Sequence, residues 1–297
     1  MTAGTLPLRQ RAEQLAATLP PLLVTAERVA STVAQGVHGR RRVGQGETFW
    51  QFRQYIAGDR PESIDWRQSA KSDRVFVRQT EWEAAQSVWL WRDGSASMAW
   101  RAAHSRPTKR ARAELLCLAL AALLVRGGEH IALLGSGQRP STGRAALRRM
   151  ALRFERQKDT STHARASVPP AVPLPRHGHV VLIGDFLAPL ETIDRALRGY
   201  AEAGTRGFML QVLDPAEEAL PYDGRVRFEG LEDEQPWVLS RVETVRDAYV
   251  ARLSAQRAGL RAIARTAGWR FASHRTDRPP QSALLDMYTA LSDGLRR

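Results

Sequence analysis

The spacing of apolar positions changes along the chain, and each change marks a different kind of structure. Between residues 8 and 35, Leu15, Leu19, Leu22, Leu23, Ala26, Val29, Ala30 and Val33 recur at helical intervals that break at Pro20-Pro21. This predicts one or two helices ending near Gly36. Residues 41–83 carry short, aromatic, β-prone pieces at 48–56, 63–67 and 74–80, separated by turn signals. Beyond Ala85, compact apolar runs alternate with longer helical patterns. Strands are predicted at 87–92, 130–134, 179–183, 207–213 and 269–273, and helices at 108–126, 143–155, 189–203, 241–267 and 281–291. Such alternation is the mark of an α/β fold with a doubly wound, mainly parallel sheet. The division that follows is residues 1–84, a small helical and β-rich subdomain, and residues 85–297, the α/β domain. A Ser-, Thr- and Pro-rich stretch at 160–177 reads as a connection, and Tyr222-Asp223-Gly224 as a hairpin turn.

Composition narrows the function classes. No stretch approaches the roughly 20 uninterrupted apolar residues of a membrane span, and the amino terminus lacks a signal-peptide pattern, so a soluble, cytoplasmic protein is expected. The single cysteine, Cys117, lies in an apolar run and reads as a small core residue. A net charge of +13 invites a nucleic-acid or anionic-surface partner. The positive charge, however, is nearly all arginine spread along the chain, with lysine only at Lys71, Lys109 and Lys158. The densest cluster, Arg40-Arg41-Arg42, has no recognition motif around it, so a nucleic-acid role is not expected. Six of the eight tryptophans (Trp50, Trp66, Trp82, Trp89, Trp91, Trp100) fall between residues 50 and 100, where a small β-rich segment needs large side chains to pack.

The candidate chemistry sits at strand ends. The apolar run Val88-Trp89-Leu90-Trp91 leads into Asp93-Gly94-Ser95-Ala96-Ser97, which places one carboxylate and two hydroxyls at the carboxyl edge of a sheet. Hard oxygen donors of this kind suit Mg²⁺ or Mn²⁺, and the arrangement reads as a metal-ion-dependent adhesion site. Val180-Val181-Leu182-Ile183-Gly184-Asp185 supplies a second strand-terminal carboxylate across the switch point. Candidate metal ligands are therefore Asp93, Ser95, Ser97 and Asp185, with a further threonine ligand open among Thr160, Thr162 and Thr142, and Ser161 beside them. No nucleophile stands beside a general base, the seven histidines are scattered, and no P-loop occurs.

Gly44-Gln45-Gly46-Glu47-Thr48-Phe49, then Phe52-Arg53-Gln54-Tyr55, Gly58-Asp59-Arg60 and Ile64-Asp65-Trp66-Arg67 with Ala70 form a series of spaced motifs. Followed by Val77-Arg78 and Asp93-Gly94-Ser95-Ala96-Ser97-Met98, the series resembles the bacterial domain-of-unknown-function family 58 from about Gly36 to Met98. The rest of the chain resembles a Rossmann-like von Willebrand factor type A domain in strand order and in Asp185. Members of that family are commonly encoded beside MoxR-type AAA+ ATPases, so the resemblance implies such an ATPase and a protein client as partners. Many members also carry amino-terminal membrane helices, which this sequence does not show. The motif residues Arg53, Tyr55, Gly58, Asp59, Asp65, Trp66 and Arg67 combine opposite charges with aromatic rings. They are expected to form a structural hydrogen-bonded network, with a docking surface as the other reading.

The function expected from these features is a non-catalytic protein-interaction module. Two other classes stay open. A Mg²⁺-dependent hydrolase would need a further base or second metal cluster near Asp93. An arginine-rich nucleic-acid or anionic-surface binder would lose affinity steeply with salt and without regard to Mg²⁺.

Overall fold

The computed structural model describes residues 21–37, 49–56, 64–72, 74–80, 86–102, 107–159, 167–176, 178–231 and 235–294. In chain order the elements are α1 (Pro21–Val37), β1 (Phe49–Gln54), α2 (Trp66–Ser69), β2 (Phe76–Thr80), β3 (Ser87–Arg92), α3 (Lys109–Arg126), β4 (His130–Leu133), α4 (Gly143–Asp159) and β5 (His179–Gly184). There follow α5 (Leu190–Glu202), β6 (Arg206–Leu213), α6 (Pro215–Ala219), β7 (Val226–Phe228), β8 (Trp237–Leu239), α7 (Glu243–Thr266), β9 (Arg270–Arg275) and α8 (Pro280–Gly294). The chain divides into two compact units, residues 37–85 and the remainder.

In the larger unit, five parallel strands run in the order β4-β3-β5-β6-β9. This is the α/β fold that the alternation predicts. β5 is buried at every position because both of its faces are covered, which explains why it reads as a continuous apolar run rather than an alternating one. Val180 and Leu182 join a cluster with Ile193 and Leu197 from α5 and Leu260 and Ala264 from α7. The strand's period of two turns Val181 and Ile183 to the opposite face, where α3 packs. α3 is apolar almost all round, Cys117 included, and is buried along most of its length.

Strand order fixes where a site can form. The chain passes from β3 outward to β4, then returns across β3 to β5, so the connections leave β3 and β5 in opposite directions. The carboxyl ends of β3 and β5 therefore flank a topological switch point, where α/β sheets hold ligands.

The helix α1, which the sequence groups with the β-rich segment, counts with the α/β unit. It buries Leu23, Ala26, Val29, Ala30 and Val33, and Arg126 of α3 donates to Ser31 Oγ at 3.2 Å. In the smaller unit, β1 and β2 pair antiparallel. The stretch expected as a strand at 63–67 instead makes one bridge, Ile64 with Val77, and then turns into α2. The reason is Asp65, whose Oδ1 accepts from Gln68 N at 2.9 Å and caps the helix. The expected turn at Tyr222-Asp223-Gly224 also closes differently. The hairpin is β7–β8, with its connection between Phe228 and Trp237, while the backbone at Gly224 is tied to the start of α7 through Val242 N and Glu243 Oε2. No helix among the described residues is long and apolar enough to cross a membrane.

Candidate functional site

The Asp-x-Ser-x-Ser segment turns immediately after β3. Asp93 N still donates to Ile183 O at 2.9 Å, so the parallel ladder extends one residue past the strand and seats the carboxylate, fully buried, beside β5. Asp93 Oδ1 accepts from both the backbone N and the Oγ of Ser95, at 2.8 and 2.6 Å. The next residues form a 3-10 turn, Ala96–Ala99, which brings Ser97 Oγ within 3.0 Å of Ser95 Oγ. Ser97 Oγ then donates to Asp185 Oδ2 at 2.6 Å. All four residues read from the sequence thus join in one hydrogen-bonded line across the switch point. Gly184 makes the approach possible, since a Cβ there would lie 2.7 Å from Asp93 Cβ and 2.9 Å from its Oδ2.

Asp185 is held from the other side by a cation the sequence does not announce. Lys109, wholly inaccessible at the start of α3, donates from Nζ to Asp185 Oδ2 at 2.9 Å and to Glu217 Oε1 at 2.5 Å. Glu217 closes a capping box at α6: its Oε2 accepts from Asp214 N, and Asp214 Oδ1 accepts from Ala216 N. Gln211 Nε2, on β6, holds the Asp185 carbonyl at 3.0 Å. After Asp185 the backbone turns sharply, with Phe186 in the left-handed region at φ 51° and its carbonyl gripped by Gln256.

Burial and charge set the protonation balance. Burial, and then the Asp185 charge, push the Asp93 carboxyl up to about 7 against the pull of Ser95 and Lys109. Burial alone would depress the Lys109 ammonium, but Asp185 and Glu217 outweigh it and hold its pKa above the usual lysine value. Burial raises the Glu217 carboxyl despite Lys109 beside it.

The donors fit a hard divalent cation. Asp93 Oδ2 is buried with no hydrogen-bond partner among the described residues, an orphaned acceptor that costs free energy unless a cation or proton meets it. The carboxylates of Asp93, Asp185 and Glu217 against one ammonium leave two negative charges when ionised, which a divalent ion balances. The set leans on hydroxyls, for among the described residues no group of three His, Cys, Asp or Glu side chains is placed to hold a metal ion by itself. Thr142 is exposed ahead of α4 and makes no hydrogen bond into the cluster, while Thr160, Ser161 and Thr162 lie outside the described residues.

Among the described motif residues of the smaller unit, the ring expected to pack is open to solvent. Trp66 is 68% exposed, Tyr55 and Arg67 are exposed, and Asp65 is committed to its cap, so the packed aromatic that the sequence suggested is on the surface of α2. Arg53 lies on β1, and Gly58 and Asp59 lie outside the described residues.

Sequence reasoning missed Lys109, Glu217 and Gln211. A signal for the first exists: lysine is scarce in a chain with 44 basic residues, and this one follows the N-cap Thr108 directly at the head of an apolar helix. A compact ammonium fits between two carboxylates where a planar guanidinium does not.

The family model described as "Protein of unknown function DUF58" matches residues 51–259. Uncharacterized proteins of Mycobacterium tuberculosis and Mycobacterium bovis are each 30% identical over 283 residues, covering 89% of this chain and 86% of their own. Among solved structures, the conserved hypothetical protein BatB from Bacteroides thetaiotaomicron is similar at 14% identity and TM-score 0.41, over 72% of this chain and 100% of that one. An aerotolerance-related membrane protein from Bacteroides fragilis, carrying multiple mutations to serines, gives 14% and 0.40, over 70% and 100%.

Proposed function

The chain belongs to the DUF58 family, and within it we propose a non-catalytic protein-interaction module that works through the carboxyl edge of its sheet. The observation that carries the reading is the hydrogen-bonded line Asp93–Ser95–Ser97–Asp185, which draws residues from both sides of the switch point to one place. Asp93, Ser95, Ser97 and Asp185 would hold Mg²⁺ or Mn²⁺. When bound, such an ion offers an open coordination position to a carboxylate of a partner protein. Lys109 holds Asp185 in position.

The partners that the motif resemblance implies are a MoxR-type AAA+ ATPase and a client protein whose complex it helps to assemble or mature. The exposed ring of Trp66 supports docking as a second role for the family motif, because a large aromatic left at a surface is a common anchor of protein contacts.

The reading is tested by calorimetric titration with Mg²⁺, which should give one site in the wild-type protein and none in Asp93→Ala. Capture of partners from native extract, with and without EDTA, should lose the client in EDTA and in Ser95→Ala. Absence of heat at millimolar metal, with partner recovery indifferent to EDTA, would defeat the metal-dependent reading.

A further inference from the structure

A cavity of about 490 Å³ opens between the edge strand β4 and helix α4, apart from the carboxylate cluster. Its wall carries four arginines, Arg139, Arg149, Arg153 and Arg156, and no aspartate or glutamate lines it. The last three recur at intervals of four and three residues along α4, so one helical face carries them all. Among the described residues none of the four pairs with a carboxylate; Arg149 Nη2 donates only to Ser141 Oγ, at 2.7 Å. Beneath them the floor is apolar, with Ile131 from β4 and Met150 from α4 both buried.

Four like charges around one hollow repel one another, and an anion relieves that repulsion. Guanidinium groups present paired N–H donors that match phosphate oxygens two at a time. An apolar floor under a cationic rim suits a ligand with a ring or hydrocarbon part as well as a charge, and the volume falls in the range of about 300–1,000 Å³ common for small-ligand sites. We propose that this cleft binds an organic phosphate of nucleotide size, phosphates on the arginine rim and apolar part on the β4–α4 floor. The site is independent of the carboxylate cluster, so its failure would leave the proposed function untouched.

The test is calorimetry with ATP, tripolyphosphate, adenosine and a poly-glutamate peptide, in EDTA and about 0.15 M salt, where surface charges are screened beyond roughly 8 Å. ATP is expected to bind at one site and more tightly than either tripolyphosphate or adenosine. Arg149→Ala/Arg153→Ala should weaken ATP about tenfold or more, since each substitution removes a charge-assisted contact. Arg252→Ala/Arg265→Ala, which removes the same charge from exposed positions on α7, should change it less than about twofold. Asp93→Ala should leave ATP binding as it is. Equal weakening by the two double variants would reduce the effect to net charge and overturn the site. Equal affinity for tripolyphosphate, preference for the acidic peptide, or no ATP binding would each overturn the assignment of an organic phosphate.

Discussion

Lys109 Nζ and Ser97 Oγ converge on the same oxygen, Oδ2 of Asp185, at 2.9 and 2.6 Å. One carboxylate oxygen thus receives both an internal cation and the end of the Asp-x-Ser-x-Ser line. The charge on Asp185 is therefore shared between holding the fold and serving the edge of the sheet.

Lys109→Met removes the ammonium while keeping most of the side-chain volume, and leaves Asp185 and Glu217 facing each other without it. The expected cost is about 3–5 kcal/mol, as for other buried pairs broken on one side. Chemical denaturation measures it. Adding Glu217→Gln should recover part of the loss, because the two residues share one network. A Lys109→Met midpoint equal to wild type would show that the ammonium is dispensable.

Gly184→Ala is expected to destabilise by about 1–3 kcal/mol, since the new methyl meets Asp93 Cβ at 2.7 Å and backbone and carboxylate must part. It should also abolish any Mg²⁺ heat, by moving Asp93 off its seat. Denaturation and titration of the same variant check both; an unchanged midpoint would mean that Asp93 has room to shift.

His274 gives the protein a pH dependence of known sign. Burial, and then Arg112, whose Nη1 lies 2.8 Å from Nε2, depress its pKa to about 4, with Asp277 opposing. The unfolded chain binds that proton near pH 6.5 and the folded one does not, so stability from this group is complete above 6.5 and falls as the pH drops toward 4. The loss reaches about 3 kcal/mol. Asp93, raised to about 7, acts in the opposite direction over the same range, gaining stability as the pH falls. The measurable quantity is therefore the difference between wild type and His274→Gln, whose stability gap should narrow from pH 7 to pH 4.5. A gap constant with pH would remove His274 from the account.

In the smaller unit, Asp65→Ala should cost about 0.5–2 kcal/mol through the lost cap. Trp66→Ala should lie within about 0.5 kcal/mol of wild type, because its ring is exposed. Thermal melts separate the two. A large loss in Trp66→Ala would restore the packed role that composition suggested.

The parallel strands were legible because a strand covered on both faces must be apolar throughout, as Val180 to Ile183 are. Asp93, Ser95, Ser97 and Asp185 were legible because they lie just past the ends of two apolar runs, residues 88–91 and 180–183. The rarity and place of Lys109 single it out, but its meeting with Glu217 was not legible, since it depends on packing across 108 residues that no local pattern encodes. Asp65 was open to a local reading, for Asp65 with Gln68 three residues later has the form of a helix start. The charges and aromatics around it suggested a network instead. Asp223-Gly224 has the form of a tight hairpin turn, whereas in the structure that turn is tied to the start of α7 and Arg246 of that helix holds the Tyr222 carbonyl.

The wide separation of Lys109 from its partners also governs when this protein can become itself. Asp185 follows Lys109 by 76 residues and Glu217 by 108, so at roughly 5–20 residues per second the ribosome delivers the second counter-charge about 5–20 seconds after the lysine. Until Asp185 is made, closing α3 onto the sheet would bury an uncompensated ammonium, and until Glu217 is made the lysine has only one of its two counter-charges. Closure of the helix is therefore expected to become favourable stepwise, first with β5 and then with α6. A truncation ending before residue 215 lacks the second counter-charge of Lys109 altogether and is expected to leave α3 less firmly closed.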